Sequence, residues 1–202
     1  MAKNQFAYLP QRGARDVLAF LVARWLSAFS RGCKFVWYCA DVARAFDCVL
    51  LERLAAKLHA RGLHSQVVKL LISWLQERSA QVVVGGKMSE AFKLAYMVFQ
   101  GTVLGPCLWN VHYSDVAEPC KKAGFEEVVF ADDLHAWKEA ENCINNNSLI
   151  ADSEVCQTEV HHWGDANVVR FESTKEGHQV LSRVDPMGRG ASFWGLHSTP
   201  NS

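Results

Sequence analysis

Val128-Val129-Phe130-Ala131-Asp132-Asp133-Leu134-His135-Ala136-Trp137 sets two adjacent carboxylates between two apolar runs. Short apolar runs broken by a turn-forming Asp pair predict a β-hairpin with Asp132 and Asp133 at its tip. Neighbouring carboxylates repel, so the turn needs a compensating charge. A hard divalent cation, which takes oxygen ligands, supplies it most strongly. Mg²⁺ usually binds one or two carboxylates together with substrate phosphates, which points to phosphoryl-transfer chemistry. A solvated acidic turn on a surface hairpin is the competing reading of this stretch alone. A metal site also needs a further acid from elsewhere in the chain.

That acid has a candidate upstream. Phe35-Val36-Trp37-Tyr38-Cys39-Ala40 is apolar throughout and reads as a buried strand, Lys34 to Asp41. It ends in Asp41, followed by Val42-Ala43-Arg44-Ala45-Phe46-Asp47. A carboxylate at the exit of a buried strand is costly unless it is solvated, paired or metal-bound.

The remaining segments alternate helix and strand. Residues 16–30 carry Leu18, Leu21, Val22, Trp25 and Phe29 at helical spacing, with Gly32 near the C-cap. Helices are expected at 49–61 and 65–77. The first carries a basic stripe of Arg53, Lys57 and Arg61, read as a solvated face. Gln81–Val84 and Ala91–Leu94 read as strands around Gly85-Gly86. Gln100-Gly101-Thr102-Val103-Leu104-Gly105-Pro106 is a glycine-bearing loop, with Pro106 opening a helix expected to run to about Cys120. Asn145 to Ser148 offers an N-cap for a helix burying Leu149, Cys156, Val160 and Trp163. Val168–Phe171 and Gln179–Leu181 read as short strands, with Lys175 in a polar turn between them.

The 202 residues are half hydrophobic, enough for a substantial core, and no linker or repeat divides them. Seven cysteines without CxxC spacing give no structural zinc pattern. Their odd number and the lack of an apolar leader predict reduced thiols and an intracellular setting, nuclear or cytoplasmic. No apolar run approaches membrane-spanning length. The net charge is zero but unevenly placed. Residues 1–80 hold 12 Lys/Arg against 5 Asp/Glu, and residues 81–202 hold 9 against 16. This asymmetry fits a basic side facing a polyanion and an acidic side holding metal.

Taken in order, these pieces resemble the reverse transcriptase palm, most closely that of non-LTR retrotransposons. Asp41 to Asp47 resembles the first palm motif, and Gln100 to Pro106 the motif framing template and incoming nucleotide. Phe130-Ala131-Asp132-Asp133 resembles the (Tyr/Phe)-x-Asp-Asp box. Trp163 to Lys175 resembles the next motif, which ends in lysine. Phe193-Trp194-Gly195-Leu196 resembles the primer-gripping hairpin, and Asn4-Gln5-Phe6 with Arg12 to Asp16 the segment before the palm.

The resemblance implies an α+β fold: a mainly antiparallel, ferredoxin/RRM-like palm sheet backed by helices, plus a remnant of the fingers. Residues 1–33 would end the fingers, 34–183 form the palm and 184–202 begin the primer grip, all as a single domain. It implies an RNA-directed DNA polymerase core using two Mg²⁺ ions, with Mn²⁺ as an alternative. RNA template, DNA primer and dNTP would be the partners. Asp41, Asp132, Asp133 and the Val42 carbonyl would hold metal. Lys175 would serve the leaving pyrophosphate; Phe46, Gln100 and Gly101 would line the nucleotide site. The chain is short for such an enzyme, so fingers and thumb segments of a longer polyprotein are expected to flank it. The competing class is a degenerate, non-catalytic palm remnant that binds nucleic acid or protein. An RNA-directed RNA polymerase is a third reading, disfavoured by the aromatic Phe46.

Overall fold

The computed structural model describes residues 4–76, 78–94 and 97–183. The segment resembling the primer grip, Phe193 to Leu196, lies outside the described residues. The chain forms two compact units: residues up to Ala43 together with those from Tyr113 onward, and Arg44–His112 between them.

The first unit is built on a four-stranded antiparallel sheet. Its strands are β1 (Cys33–Ala40), β6 (Glu126–Phe130), β7 (Asp133–Glu141) and β8 (Gly177–Leu181), in the order β6, β7, β1, β8. Aromatic and β-branched residues suit these strands because both sheet faces are covered. On one face α1 (Ala14–Ser30) buries Val17, Leu21 and Ala28 against Phe35, Val128, Trp137 and Leu181. Phe35 and Trp137 stack with centroids 6.1 Å apart. Also in this unit are α5 (Ala117–Lys122), which packs on β6, and α6 (Asn146–Asn167), which packs on β1 and β8. Asn145 caps α6, its side chain accepting the Asn147 N–H at 2.8 Å.

Of the periodic set, α1 turns Leu21, Trp25 and Phe29 to the core, whereas Leu18 and Val22 are 61% and 37% exposed and Val17 and Ala28 are buried instead. With apolar residues around most of the helix, hydropathy alone does not fix which stripe faces inward.

The second unit contains a 3₁₀ turn (Ala45–Asp47), α2 (Leu51–Ala60), α3 (Ser65–Leu75) and α4 (Gly105–His112). Leu54, Leu58, Val68, Leu75, Leu108 and Trp109 are buried there. The expected hairpin around Gly85-Gly86 resolves into two ribbons. β3 (Val83–Val84) pairs with β4 (Lys87–Met88), and β2 (Arg78–Ala80) pairs with β5 (Phe92–Leu94).

Two expectations are corrected. The helix beginning at Gly105 ends at His112, and α5 restarts at Ala117. Pro119 explains the break: within a continuous helix its ring would clash with the Asp115 carbonyl and remove a hydrogen bond, whereas in the first turn of α5 it costs nothing. Val168–Phe171 forms a single bridge, Val42 to Phe171, instead of a strand. Val168 adopts φ 59°, left-handed backbone that ends α6 and cannot continue a ladder. Among the described residues no helix is long and apolar enough to cross a membrane. All seven cysteines are free thiols.

Candidate active site

The sheet register builds the site. β1 and β7 pair with Cys39 opposite His135 and Ala40 opposite Leu134. The ladder ends there; Asp41 and Asp133 are the next residues on the two chains, and their side chains are joined by a hydrogen bond. Side chains alternate across a sheet, so residues directly opposite share a face at about 4.5–5.5 Å. Phe130 pairs with Asp133, leaving Ala131 and Asp132 as a two-residue hairpin turn. Asp41, remote in sequence, thus collects with the adjacent Asp132 and Asp133 at one end of the sheet.

Lys175 reaches the same place. Residues after α6 run beside the exit of β1: Ala43 N–H donates to the Arg170 carbonyl at 2.8 Å, and Glu172 N–H to the Asp41 carbonyl at 2.9 Å. Both bonds bypass the Val42 carbonyl. The Lys175 N–H then donates to the Glu172 carbonyl at 2.8 Å, closing a turn that aims the Lys175 ammonium at the Asp41 carboxylate, with which it pairs. Gly164 permits this path. A Cβ there would meet the Val169 carbonyl oxygen at 2.7 Å and the Phe171 ring at 3.1 Å.

The electrostatics follow from crowding. Burial raises the Asp132 carboxyl above its ordinary value, and the charge of Asp41 raises it further while Lys175 opposes the shift. Asp133 is raised by burial, then by Asp132 and Asp41, and a hydrogen bond with the Asp41 side chain acts in the same direction. The Lys175 ammonium is raised by its hydrogen bond and charge contact with Asp41. One lysine therefore faces three carboxyl groups.

Among the described residues, no three His, Cys, Asp or Glu side chains are already gathered as a ligand cluster. The donor set still fits a hard divalent cation. It consists of oxygens only, crowded and mutually repelling, with Asp41 and Asp132 half-buried, which is the arrangement such an ion relieves.

Two residues that the sequence reading did not single out for the site brace the turn. Gln5, from the segment before α1, exchanges hydrogen bonds with the Ala131 backbone. Tyr113 donates its hydroxyl to the Asp132 carbonyl at 3.3 Å, and its ring meets Trp163 edge-on at 5.5 Å. Neither has a local sequence signal, because each acts across a long separation in the chain.

Phe46, Gln100 and Gly101 belong to the second unit. The Phe46 ring lies 5.9 Å from that of Trp109, and its carbonyl accepts the Val98 N–H at 2.8 Å. Gln100 is exposed in a turn where Gly101 takes φ 80°, a conformation that favours glycine. Thr102 Oγ1 closes this loop by donating to the Phe99 carbonyl and accepting the Gly105 N–H.

The family model described as reverse transcriptase (RNA-dependent DNA polymerase) matches residues 1–175. The RNA-directed DNA polymerase from the mobile element jockey of Drosophila melanogaster is 33% identical over 131 residues, 64% of this chain and 14% of that protein. Among solved structures, apo telomerase from Candida tropicalis truncated from its C-terminal domain aligns with TM-score 0.67 and 11% identity. That alignment covers 96% of this chain and 39% of the other. Telomerase from Candida albicans in complex with a telomeric RNA fragment aligns with TM-score 0.65 and 13% identity, over 87% and 31%. At such identities the likeness is one of fold, an α+β palm with a mainly antiparallel sheet. The chain spans about a seventh of its jockey relative and about a third of the telomerase chains. On this match over most of its length, the chain belongs to the reverse transcriptase family, as a region of the non-LTR type.

Proposed function

We propose that this chain is the catalytic region of an RNA-directed DNA polymerase, transferring a nucleotidyl group from dNTP to a primer 3′-OH on an RNA template. The observation that carries the reading is the register of β1 on β7. It ends with Ala40 opposite Leu134, so that Asp41 leaves β1 next to the Asp132-Asp133 turn, with Lys175 paired to Asp41, in a chain of the reverse transcriptase family. Asp41, Asp132, Asp133 and the Val42 carbonyl are assigned to Mg²⁺, with Mn²⁺ as a substitute. Bound there, two ions would supply an activated primer hydroxyl and charge neutralisation at the departing pyrophosphate.

The chain's own residues do the rest. The carboxylates fix the ligand geometry, and Lys175 offers a proton or positive charge to the leaving group. Phe46 is assigned to the sugar of the incoming nucleotide, and Gln100 and Gly101 to the nucleotide, each from the family motif that it matches. Residues 34–183 are assigned to the palm and residues 1–33 to the end of the fingers, in a longer polyprotein that carries the further fingers and thumb segments. A non-catalytic remnant is disfavoured, because binding nucleic acid gives no use to three crowded, mutually repelling carboxylates.

Single-nucleotide addition to a DNA primer on an RNA template, at high dNTP, tests the reading. The expected result is slow addition dependent on Mg²⁺ or Mn²⁺ and lost in Asp132→Asn. Absence of addition, or equal addition by the variant, would overturn it.

A further inference from the structure

Ala131 takes φ 59° while Asp132 keeps a negative φ. Positive φ at the first central position of a two-residue hairpin loop ordinarily belongs to glycine. Here it is alanine, whose Cβ makes left-handed backbone unfavourable. The turn that carries both hairpin aspartates is therefore strained, and something outside the hairpin must hold it.

Gln5 meets that requirement. It is 3% exposed and belongs to a segment that docks along β6 by a parallel bridge at Val129. Val129 N–H donates to the Asn4 carbonyl at 2.9 Å, and Phe6 N–H donates to the Val129 carbonyl at 3.0 Å. These bonds fix the Gln5 backbone, so its side chain arrives at the turn with little freedom left. Its Oε1 accepts the Ala131 N–H at 3.1 Å and the Ala7 N–H at 2.9 Å. Its Nε2 donates to the Ala131 carbonyl at 3.3 Å. One carboxamide thus holds both backbone polar groups of the one strained residue, as a neighbouring strand would.

We infer that Gln5 is a positioning residue that clamps Ala131 in its left-handed conformation and so sets where Asp132 and Asp133 point. The inference rests on the metal-site reading above, but the clamp has a consequence independent of metal. Without Gln5 the turn relaxes toward conformations that alanine prefers, and the aspartates spend less time in the binding geometry. Glycine at position 131 would remove the need for the clamp, because it adopts positive φ without penalty.

The test uses the 202-residue chain and four forms: wild type, Gln5→Met, Ala131→Gly and the double variant. Methionine keeps the length and packing of glutamine and lacks the amide. Mn²⁺ binding is followed by electron paramagnetic resonance of the free ion, and fold by thermal unfolding and circular dichroism. Gln5→Met is expected to weaken Mn²⁺ binding about tenfold, or about 1.4 kcal/mol, with native circular dichroism. The double variant is expected to recover most of that loss. Gln5→Met binding like wild type, or a loss that Ala131→Gly does not recover, would overturn the clamp and leave Gln5 as an anchor of the N-terminal segment. If no form binds Mn²⁺, the metal reading fails. The clamp is then judged by ¹⁵N relaxation dispersion at Asp132 and Asp133. Exchange that appears in Gln5→Met and disappears in the double variant supports it; equal exchange in all forms overturns it. Should Gln5→Met fail to fold, Ala131→Gly in the same background must restore the fold, or the clamp is wrong.

Discussion

Phe46 and Glu127 each carry a prediction that a single side chain decides. The Phe46 ring is half-buried beside Trp109. As a sugar gate it leaves a 2′-hydroxyl without room or a hydrogen-bond partner, a penalty of about 1–3 kcal/mol. Phe46→Val is therefore expected to raise rNTP use relative to dNTP about tenfold, read by competitive incorporation in a longer protein carrying fingers and thumb. If both nucleotides fall together with the melting temperature, the ring serves only to pack on Trp109. Glu127 is buried on β6, and burial raises its carboxyl above 4.5. A raised folded value means the folded state holds a proton that the unfolded state has released. Its contribution is present below pH 4.5 and is lost as pH rises through the folded value. Glu127→Gln keeps an acceptor for the Asn4 amide, which donates to Glu127 Oε1 at 3.2 Å. The variant is expected to gain stability over wild type as pH rises from 4 to 7, by urea unfolding. A constant difference across that range would contradict this.

At the scale of elements, α6 fits closely against the segment carrying Lys175. Gly164→Ala drives a Cβ into the Val169 carbonyl, and overpacking of this kind typically costs about 1–3 kcal/mol. Thermal unfolding should show a lower midpoint. Nucleotide addition should fall further than the stability loss explains, because the turn that aims Lys175 shifts. Normal stability and normal addition would show that the path is not constrained there. Elements with local signals were legible from the chain: the aromatic run of β1, the Asp-Asp hairpin, and the Asn-capped α6. The break between α4 and α5 was legible in principle through Pro119. The inward stripe of α1 was not, because apolar residues surround that helix. Gln5 and Tyr113 were not either, since their partners lie 126 and 19 residues away. Asp41, Asp132, Asp133 and Lys175 were nominated by motif, and their common address depended on a register that the sequence does not state.

At the scale of the whole molecule, this chain corresponds to a small share of its relatives. Phosphoryl transfer depends mostly on positioning primer and triphosphate. The isolated chain is therefore expected to add single nucleotides slowly and not to synthesise processively; long products in a primer-extension ladder would contradict this. We propose that Asp41, Asp132 and Asp133 form one metal-binding centre. Crystals soaked with Mn²⁺ and dNTP, measured at the manganese edge, test it most directly. Two anomalous peaks about 3.5–4 Å apart are expected, ligated by Asp41 and Asp132 and displacing the Lys175 ammonium from Asp41. Manganese bound elsewhere, with Lys175 still paired to Asp41, would contradict it.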